Sequence, residues 1–336
     1  MQFSGPLIVV SAAIATAALL ALLRPMLARV ALAAPNARSS HRQPTPQGGG
    51  IAVIAVTIAI SAIAVFGTST FPSGIAERLL PVFGAALLLA AVGALDDIFS
   101  LGTVPRLVVQ GIAVAIVLAA LPADLRVVPW LPEWLERGLL FGGGVAFVNI
   151  VNFMDGIDWM MVVEVVPITV GVALIGALVP LPPEAIPVSL ALGGAMIGFA
   201  PFNRPVARLF LGDVGSLPIG LLLGWLLALV ASAGHLAAAI VLPLYFIADA
   251  TVTMLRRLRA GERLWEAHRT HFYQRAGDNG FSTTQIVARV FAVNVGLVAL
   301  AVTSVVVPSR ATCIGAVAVA CALVAWVMAS FARGRP

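Results

Sequence analysis

Acidic residues stand at the ends of apolar segments, where carboxylates can hold a divalent cation. Asp96 and Asp97 are adjacent and follow an apolar run, and Asp213 lies between Gly212 and Gly215 at the start of another. Adjacent carboxylates at the end of an apolar helix are costly unless a cation offsets their charge. Carboxylates and substrate phosphates are the ligands that Mg²⁺ prefers. Taken alone, the Asp96-Asp97 pair is better explained as solvated caps at a helix end, whereas for Asp213 a metal ligand and an ordinary helix N-cap are equally good explanations.

A second polar cluster occupies residues 149–158. Its ligand-type side chains recur every three residues, as Asn149, Asn152, Asp155 and Asp158. Residues three apart are neighbours on a helix, but each step drifts by about 60°, so four of them cannot share one face of a straight helix. Gly156 is expected to break the helix and to let the four side chains converge on one pocket. The alternative is helix packing through the asparagine amides.

Histidines and arginines form a third group, in the segment 256–284. Anchoring at a membrane surface accounts for its arginines. It does not account for His268 and His271 beside Arg269, in a chain with only four histidines. His41 lies in another polar segment, just before a run of glycines. Acidic groups together with arginine and histidine suit a divalent metal that holds a diphosphate.

Apolar segments between these motifs must position them. The chain is 60% hydrophobic and 10% charged, whereas a soluble domain carries about 25% charged residues. Most of the surface must therefore face lipid, and a run of about 20 apolar residues spans the bilayer core. Such runs predict eleven spans: 5–23, 49–67, 79–95, 107–121, 138–153, 160–180, 185–202, 215–232, 236–255, 285–307 and 311–332.

The distribution of arginine orients these spans. Alternate connections place sixteen of the 20 arginines on one side, and on the other side only Arg78, Arg126, Arg137 and Arg310. Basic residues favour the cytoplasmic side. We therefore expect an all-α membrane protein with about 10–11 transmembrane helices, its N-terminus outside and its catalytic loops on the cytoplasmic face. The same bias explains the net charge of +5, so no nucleic-acid partner is expected.

The whole chain, 1–336, is expected to form a single integral membrane domain in the inner (cytoplasmic) membrane. Within it, the segment 256–284 is expected to be a cytoplasmic loop rich in histidine and arginine.

Together the motifs resemble those of the polyprenyl-phosphate N-acetylhexosamine-1-phosphate transferases, glycosyltransferase family 4, over about residues 35–280. The matching motifs are His41…Pro44-Thr45-Pro46…Gly48-Gly49-Gly50, Asp96-Asp97…Leu101, Asn149…Asn152-Phe153-Met154-Asp155-Gly156-Ile157-Asp158, Gly212-Asp213-Val214-Gly215-Ser216 and Ala267-His268-Arg269…His271. In detail they are more similar to the bacterial undecaprenyl-phosphate GlcNAc-1-phosphate transferases, which start O-antigen or teichoic-acid synthesis.

The resemblance implies a transfer of sugar-1-phosphate from a UDP-N-acetylhexosamine to undecaprenyl phosphate, with release of UMP and a requirement for Mg²⁺. It implies that Asp96 and Asp97 are catalytic and serve the lipid phosphate and the metal, and that Asp213 binds Mg²⁺ directly, together with Asp97. The residues implied in substrate binding are His41, Asn152, Asp155, Asp158, His268, Arg269 and His271. The donor sugar and a homodimeric state are left open.

Three positions depart from the family pattern. Trp159 stands where a second glycine is expected after Asp158, and Gln47 stands where relatives often have arginine. The chain also contains no lysine, so that Arg106 is the candidate to replace a lysine common near the site in the pentapeptide branch. Arginine and lysine are not interchangeable at phosphates.

Three other functions compete with this one. The first is a phospho-N-acetylmuramoyl-pentapeptide transferase, from the neighbouring branch. The second is a secondary transporter, but transporter acids lie near the middle of the bilayer, where only Asp249 is expected. The third is a CDP-alcohol phosphotransferase, whose closely spaced aspartates within one helical stretch are not found here.

Overall fold

A computed structural model describes residues 4–33, 44–67, 74–121, 125–263 and 268–333. These residues form two short strands, β1 (Leu32–Ala33) and β2 (Thr45–Pro46), which pair antiparallel. All other regular structure in them is helical. The α-helices are α1 (Gly5–Val30), α2 (Gly50–Phe66), α3 (Ile75–Phe99), α4 (Thr103–Ala120), α5 (Glu133–Met154), α6 (Met160–Leu178), α7 (Ala185–Asn203), α8 (Asp213–Val230), α9 (Leu236–Val241), α10 (Leu244–Arg259), α11 (Phe272–Asp278), α12 (Thr283–Val306) and α13 (Arg310–Arg333).

The all-α membrane fold is confirmed. Nine helical segments in the described part of the chain are long and apolar enough to cross a membrane, with α8 and α9 counted as one segment. Helix α2 is apolar but has only 17 residues. Each of the eleven predicted spans coincides with helical structure. The side of the membrane on which the N-terminus lies stays a prediction.

The helical structure that follows α8 is interrupted twice. Gly234, at a φ of 91°, interrupts the π-helical turn Ala231–His235 between α8 and α9. Pro243 separates α9 from α10, because proline has no N–H to continue the helical hydrogen bonds. The predicted ninth span is therefore two helices rather than one.

Helix α8 is the centre of the bundle. It packs against α2, α3, α5 and α6, and 15 of its 18 residues are buried. On one side α1 packs against α7 and α2, and on the other α12 packs against α6 and α13. A central helix with so many neighbours fixes the position of its own first turn, which carries Asp213.

Helices α3 and α8 approach closely because of one glycine. A Cβ atom at Gly93 would overlap the backbone of Asp213, so that a larger residue would force the two helices apart. Gly84, earlier on α3, has nothing within 4 Å of its own ideal Cβ position. The backbones of the two helices therefore touch at the end of α3 that carries the paired aspartates.

Candidate active site

Asp97 links the end of α3 to the start of α8. Its Oδ1 accepts the backbone N–H of Asp213 at 2.9 Å, and its Oδ2 accepts the N–H of Val214 at 3.2 Å. The first N–H groups of a helix have no partner within the helix, so that a carboxylate is favoured there. The two predicted metal ligands are therefore neighbours, although 116 residues separate them.

Arg106, near the start of α4, lies among these acids. Its Nη1 contacts the carboxylate of Asp96 and lies 3.2 Å from Oδ2 of Asp213. The turn between α3 and α4 is short, and Asp96 Oδ1 also accepts the N–H of Leu101 at 2.6 Å. One guanidinium thus contacts two carboxylates, and with Asp97 beside Asp213 the cluster retains an excess of negative charge.

Asn152, on the last turn of α5, also contacts Asp213. Its Nδ2 donates to Asp213 Oδ1 at 2.8 Å and lies 2.9 Å from Ser216 Oγ. The expected convergence of the whole polar run is wrong for Asn149, whose Nδ2 donates to Gln110 Oε1 on α4 at 2.6 Å. The 60° drift per three residues places it on another side of α5, where the amide packs two helices together.

The two predicted aspartates that follow α5, Asp155 and Asp158, lie in different surroundings. The helix ends at Met154, just before Gly156, as the glycine predicted. Asp155 is partly buried, and burial, with the negative charges of Asp97 and Asp158, raises its pKa to about 7. Asp158 is buried, and its Oδ2 accepts the N–H of Ala207 at 2.9 Å, which ties this turn to the segment before α8.

Trp159 keeps the backbone conformation for which a glycine was expected. Its φ is 64° and its ψ is −5°, in the left-handed region. The backbone N–H donates to Asn203 Oδ1 at 2.8 Å, and the indole Nε1 donates to the carbonyl of Ala200 at 2.7 Å. Hydrogen bonds to α7 therefore hold a tryptophan in a conformation that is strained for residues with a Cβ atom.

The glycine-rich segment before α2 reaches the same cluster. Gln47 Nε2 donates to the backbone carbonyl of Asp97 at 2.7 Å. The N–H groups of Gly49 and Gly50 donate to the carbonyls of Phe210 and Leu211 at 2.9 and 2.8 Å. Gln47, at the position where the resemblance predicted an arginine, thus stabilises the end of α3 through this hydrogen bond.

The predicted contribution of His41 falls outside the described residues.

The histidine segment lies beside the end of α5. The rings of His268 and His271 are 4.9 Å apart, and the ring of Phe153 lies 6.4 Å from that of His271. Tyr273 donates its hydroxyl to the carbonyl of Phe153 at 3.0 Å. Arg269 lies 3.5 Å from Asp278, in an exposed ion pair. The segment therefore joins the polar end of the bundle through α5.

Sequence reasoning did not identify the main partner of His271. Asp249, on α10, is fully buried, and its Oδ1 lies 3.2 Å from His271 Nδ1. The one signal in the sequence was an acid within an apolar span, which is rare unless it is paired. The residue that pairs with it lies 22 positions away, so the sequence alone did not reveal the contact.

The donor set at α3 and α8 fits Mg²⁺. Among the described residues no three histidine, cysteine or acidic side chains are grouped as a metal site. Magnesium is usually held by one or two carboxylates together with substrate phosphates and water. Asp97 and Asp213 are such a pair, and the excess of negative charge around them favours a bound cation.

Comparison with known proteins matches the part of the chain that carries this cluster. The family described as Glycosyl transferase family 4 matches residues 79–231, a range that includes Asp97, Arg106, Asn152 and Asp213. The decaprenyl-phosphate N-acetylglucosaminephosphotransferase of Mycolicibacterium smegmatis is 27% identical over 90% of this chain and 83% of its own length.

Two further relatives cover less of the chain. The probable undecaprenyl-phosphate N-acetylglucosaminyl 1-phosphate transferase of Bacillus subtilis is 27% identical over 74% of this chain and 70% of its own length. The phospho-N-acetylmuramoyl-pentapeptide-transferase of Nostoc sp. is 34% identical, but over only 52% of this chain and 50% of its own length. Similarity to the N-acetylglucosamine enzymes thus extends over more of the chain than similarity to the pentapeptide enzyme.

Proposed function

We propose that this chain is a member of glycosyl transferase family 4, whose pattern matches residues 79–231, and that it transfers an N-acetylhexosamine-1-phosphate from a UDP-sugar to undecaprenyl phosphate. The products are UMP and a lipid-linked diphosphosugar that starts a cell-surface glycan. The relatives that match most of the chain carry names with a polyprenyl phosphate and N-acetylglucosamine. These names, the membrane fold and the acidic cluster support the same reaction.

The observation that carries this proposal is the cluster of Asp97, Asp213, Asn152 and Arg106, at one end of the helix bundle. In the reaction, an oxygen of the lipid phosphate forms a bond to the phosphorus that carries the sugar. The anhydride bond to UMP breaks, and UMP leaves with the electron pair. Catalysis of such a transfer consists mainly of positioning and of neutralising charge.

Each residue of the cluster has a separate role in this transfer. Asp97 and Asp213 would hold Mg²⁺, which supplies positive charge to the diphosphate. Asn152 orients the Asp213 carboxylate through its 2.8 Å hydrogen bond. Arg106 connects Asp96 to Asp213 and adds a fixed cation. A phosphate monoester has a second pKa of about 6, so at neutral pH most of the acceptor carries no proton for Asp96 or Asp97 to remove. The two acids would serve mainly to hold the cations, Mg²⁺ and Arg106, that bind the acceptor phosphate.

The donor is proposed to lie between the end of α5 and the histidine segment. In this arrangement Asp155 and Asp158 line the nucleotide end, and His268, Arg269 and His271 contact the diphosphate and the sugar. His41, which the sequence predicts to bind substrate, lies outside the described residues. The acceptor phosphate stays at the membrane surface because its chain is embedded in lipid. The bias of arginine towards one set of connections supports a location in the cytoplasmic membrane with this face inward.

The test measures UMP release by the purified full-length protein. Undecaprenyl phosphate, Mg²⁺ and a panel of UDP-sugars are supplied together and with each component omitted. UMP is expected only when lipid phosphate and metal are both present, with a UDP-N-acetylhexosamine as the best donor. Asp213→Asn is expected to abolish release, whereas Glu133→Gln, at an exposed carboxylate, leaves it unchanged. UMP release that does not depend on the lipid acceptor would overturn the proposal, as would its absence with every donor.

A further inference from the structure

Asp249 lies at the centre of a buried set of hydrogen-bond donors. Its Oδ1 accepts the backbone N–H of Phe272 at 3.0 Å, and its Oδ2 accepts the N–H of Tyr273 at 3.1 Å. The hydroxyl groups of Tyr245 and Thr253, one helical turn away on either side, each lie 3.3 Å from this carboxylate. His271 Nδ1 completes the set at 3.2 Å.

This arrangement repeats the one at Asp97. In both cases a carboxylate from one helix accepts the first two backbone N–H groups of another helix. Asp97 does so for α8, and Asp249 does so for α11. A buried carboxyl group costs free energy unless donors surround it, so that each acid fixes the beginning of the helix it contacts.

The donors around Asp249 decide which nitrogen of His271 carries a proton. Both carboxylate oxygens already accept backbone N–H groups, so the carboxylate is arranged as an acceptor. Nδ1 of His271 must then be the donor in the 3.2 Å contact. The hydrogen bond made by one ring nitrogen sets the role of the other, so Nε2 is the nitrogen of this ring that can accept a hydrogen bond.

We infer that Asp249 is a positioning residue that fixes the tautomer and the orientation of His271, so that Nε2 is the nitrogen that contacts the donor diphosphate. The contact with the donor rests on the proposed function, whereas the tautomer follows from the geometry alone. The same acid also fixes Tyr273, which donates to the carbonyl of Phe153. Asp249 therefore sets the position of the histidine relative to the end of α5.

Nitrogen-15 spectroscopy of histidine tests the tautomer directly. The chain has only four histidines, so a protein labelled with ¹⁵N-histidine gives few ring-nitrogen signals. The pair of ring-nitrogen signals that disappears in His271→Gln belongs to His271. The full-length protein in lipid bilayers is expected to show His271 protonated at Nδ1. In Asp249→Asn this signature is expected to weaken or to move to Nε2. His235→Gln, in the turn after α8, is the matched control and should leave the His271 signals unchanged.

Kinetics give the second measurement. Asp249→Asn is expected to lower kcat/KM for the UDP-sugar by about tenfold to a hundredfold, by analogy with the loss when the partner of a metal-binding histidine is removed. Most of the change is expected in KM for the donor and little in KM for the lipid. His271 protonated only at Nε2 in the unaltered protein would overturn the inference, and so would an identical His271 spectrum in Asp249→Asn.

If Asp249→Asn does not fold, the spectrum of the unaltered protein decides alone. A protein that releases no UMP but shows the Nδ1-protonated ring would refute the proposed reaction and leave the role of Asp249 in fixing the ring intact.

Discussion

The backbone of Gly93 in α3 lies against the backbone of Asp213 in α8, with no space between them for a side chain. One helical turn further along α3, Asp97 accepts the N–H of the same Asp213. The contact between the helices and the pairing of the two acids are therefore one structural unit, and a change in the first must disturb the second.

Gly93→Ala is expected to inactivate the protein without unfolding it. The added methyl group would move α3 away from α8 and lengthen the bonds from Asp97, so we expect UMP release to fall by at least about a hundredfold, as for small displacements of catalytic groups. Gly84→Ala, on the same helix with open space around it, should keep full activity and gain up to about 1 kcal/mol of stability from helix propensity. Equal activity of the two variants would contradict the dependence of the site on this contact.

Arg106→Gln is expected to lower activity more than stability. The change leaves Asp96 and Asp213 without their shared cation, and removal of one preorganised charge contact commonly costs about 10²–10³ in rate. The comparison variant is Arg137→Gln, which removes an exposed ion pair with Glu133, and it should retain normal turnover. Steady-state rates at saturating Mg²⁺ distinguish the two. Retention of more than half the activity in Arg106→Gln would exclude a role for this arginine in charge balance.

Asp155 is expected to make stability depend on pH. Because its pKa is raised to about 7 from the usual 3.8, its protonated form is favoured in the folded state. Its contribution to stability is then fully present below pH 3.8 and is lost as the pH rises through about 7. Thermal unfolding at pH 5 and pH 8 should show a larger fall in Tm for the unaltered protein than for Asp155→Asn. An equal fall in Tm in the two proteins would show that ionisation of Asp155 does not destabilise the folded state.

Two substitutions of Trp159 separate the energetic cost of its left-handed backbone from the loss of its indole contacts. Trp159→Ala loses the indole contacts but keeps a Cβ atom at a φ of 64°, whereas Trp159→Gly loses the same contacts and relieves the strain. Left-handed backbone costs non-glycine residues roughly 1–2 kcal/mol. We therefore expect the glycine variant to be the more stable of the two by about 1 kcal/mol, measured by chemical unfolding in detergent. An alanine variant as stable as the glycine variant would show that the turn is not strained.

Much of the fold and part of the site followed from sequence patterns that act locally. Apolar runs predict spans because the bilayer requires a fixed length of helix, and alternate span ends necessarily share a face. That rule alone brought Asp97, Asn152 and Asp213 to the same end of the bundle. The glycine at 156 similarly predicted the end of α5, because its effect is confined to its own turn.

The remaining contacts depend on side-chain directions that no local pattern encodes. Asn149 and Asn152 share a type and a motif, yet one packs against α4 and the other binds Asp213. The link between Asp249 and His271 requires the relative position of two helices and a loop. The left-handed Trp159 is stabilised by α7, about 40 residues away in sequence, so that its own residue type could not predict it.

The connection between the glycine-rich segment and the segment before α8 is made by main-chain atoms: Phe210 donates to the carbonyl of Pro46, and Gly49 and Gly50 donate to the carbonyls of Phe210 and Leu211. Peptide groups are the same in every sequence, so positions 210 and 211 can change their residue types over evolution while the two segments stay joined. Divergence to 27% identity is thus compatible with an unaltered main-chain frame around the acids.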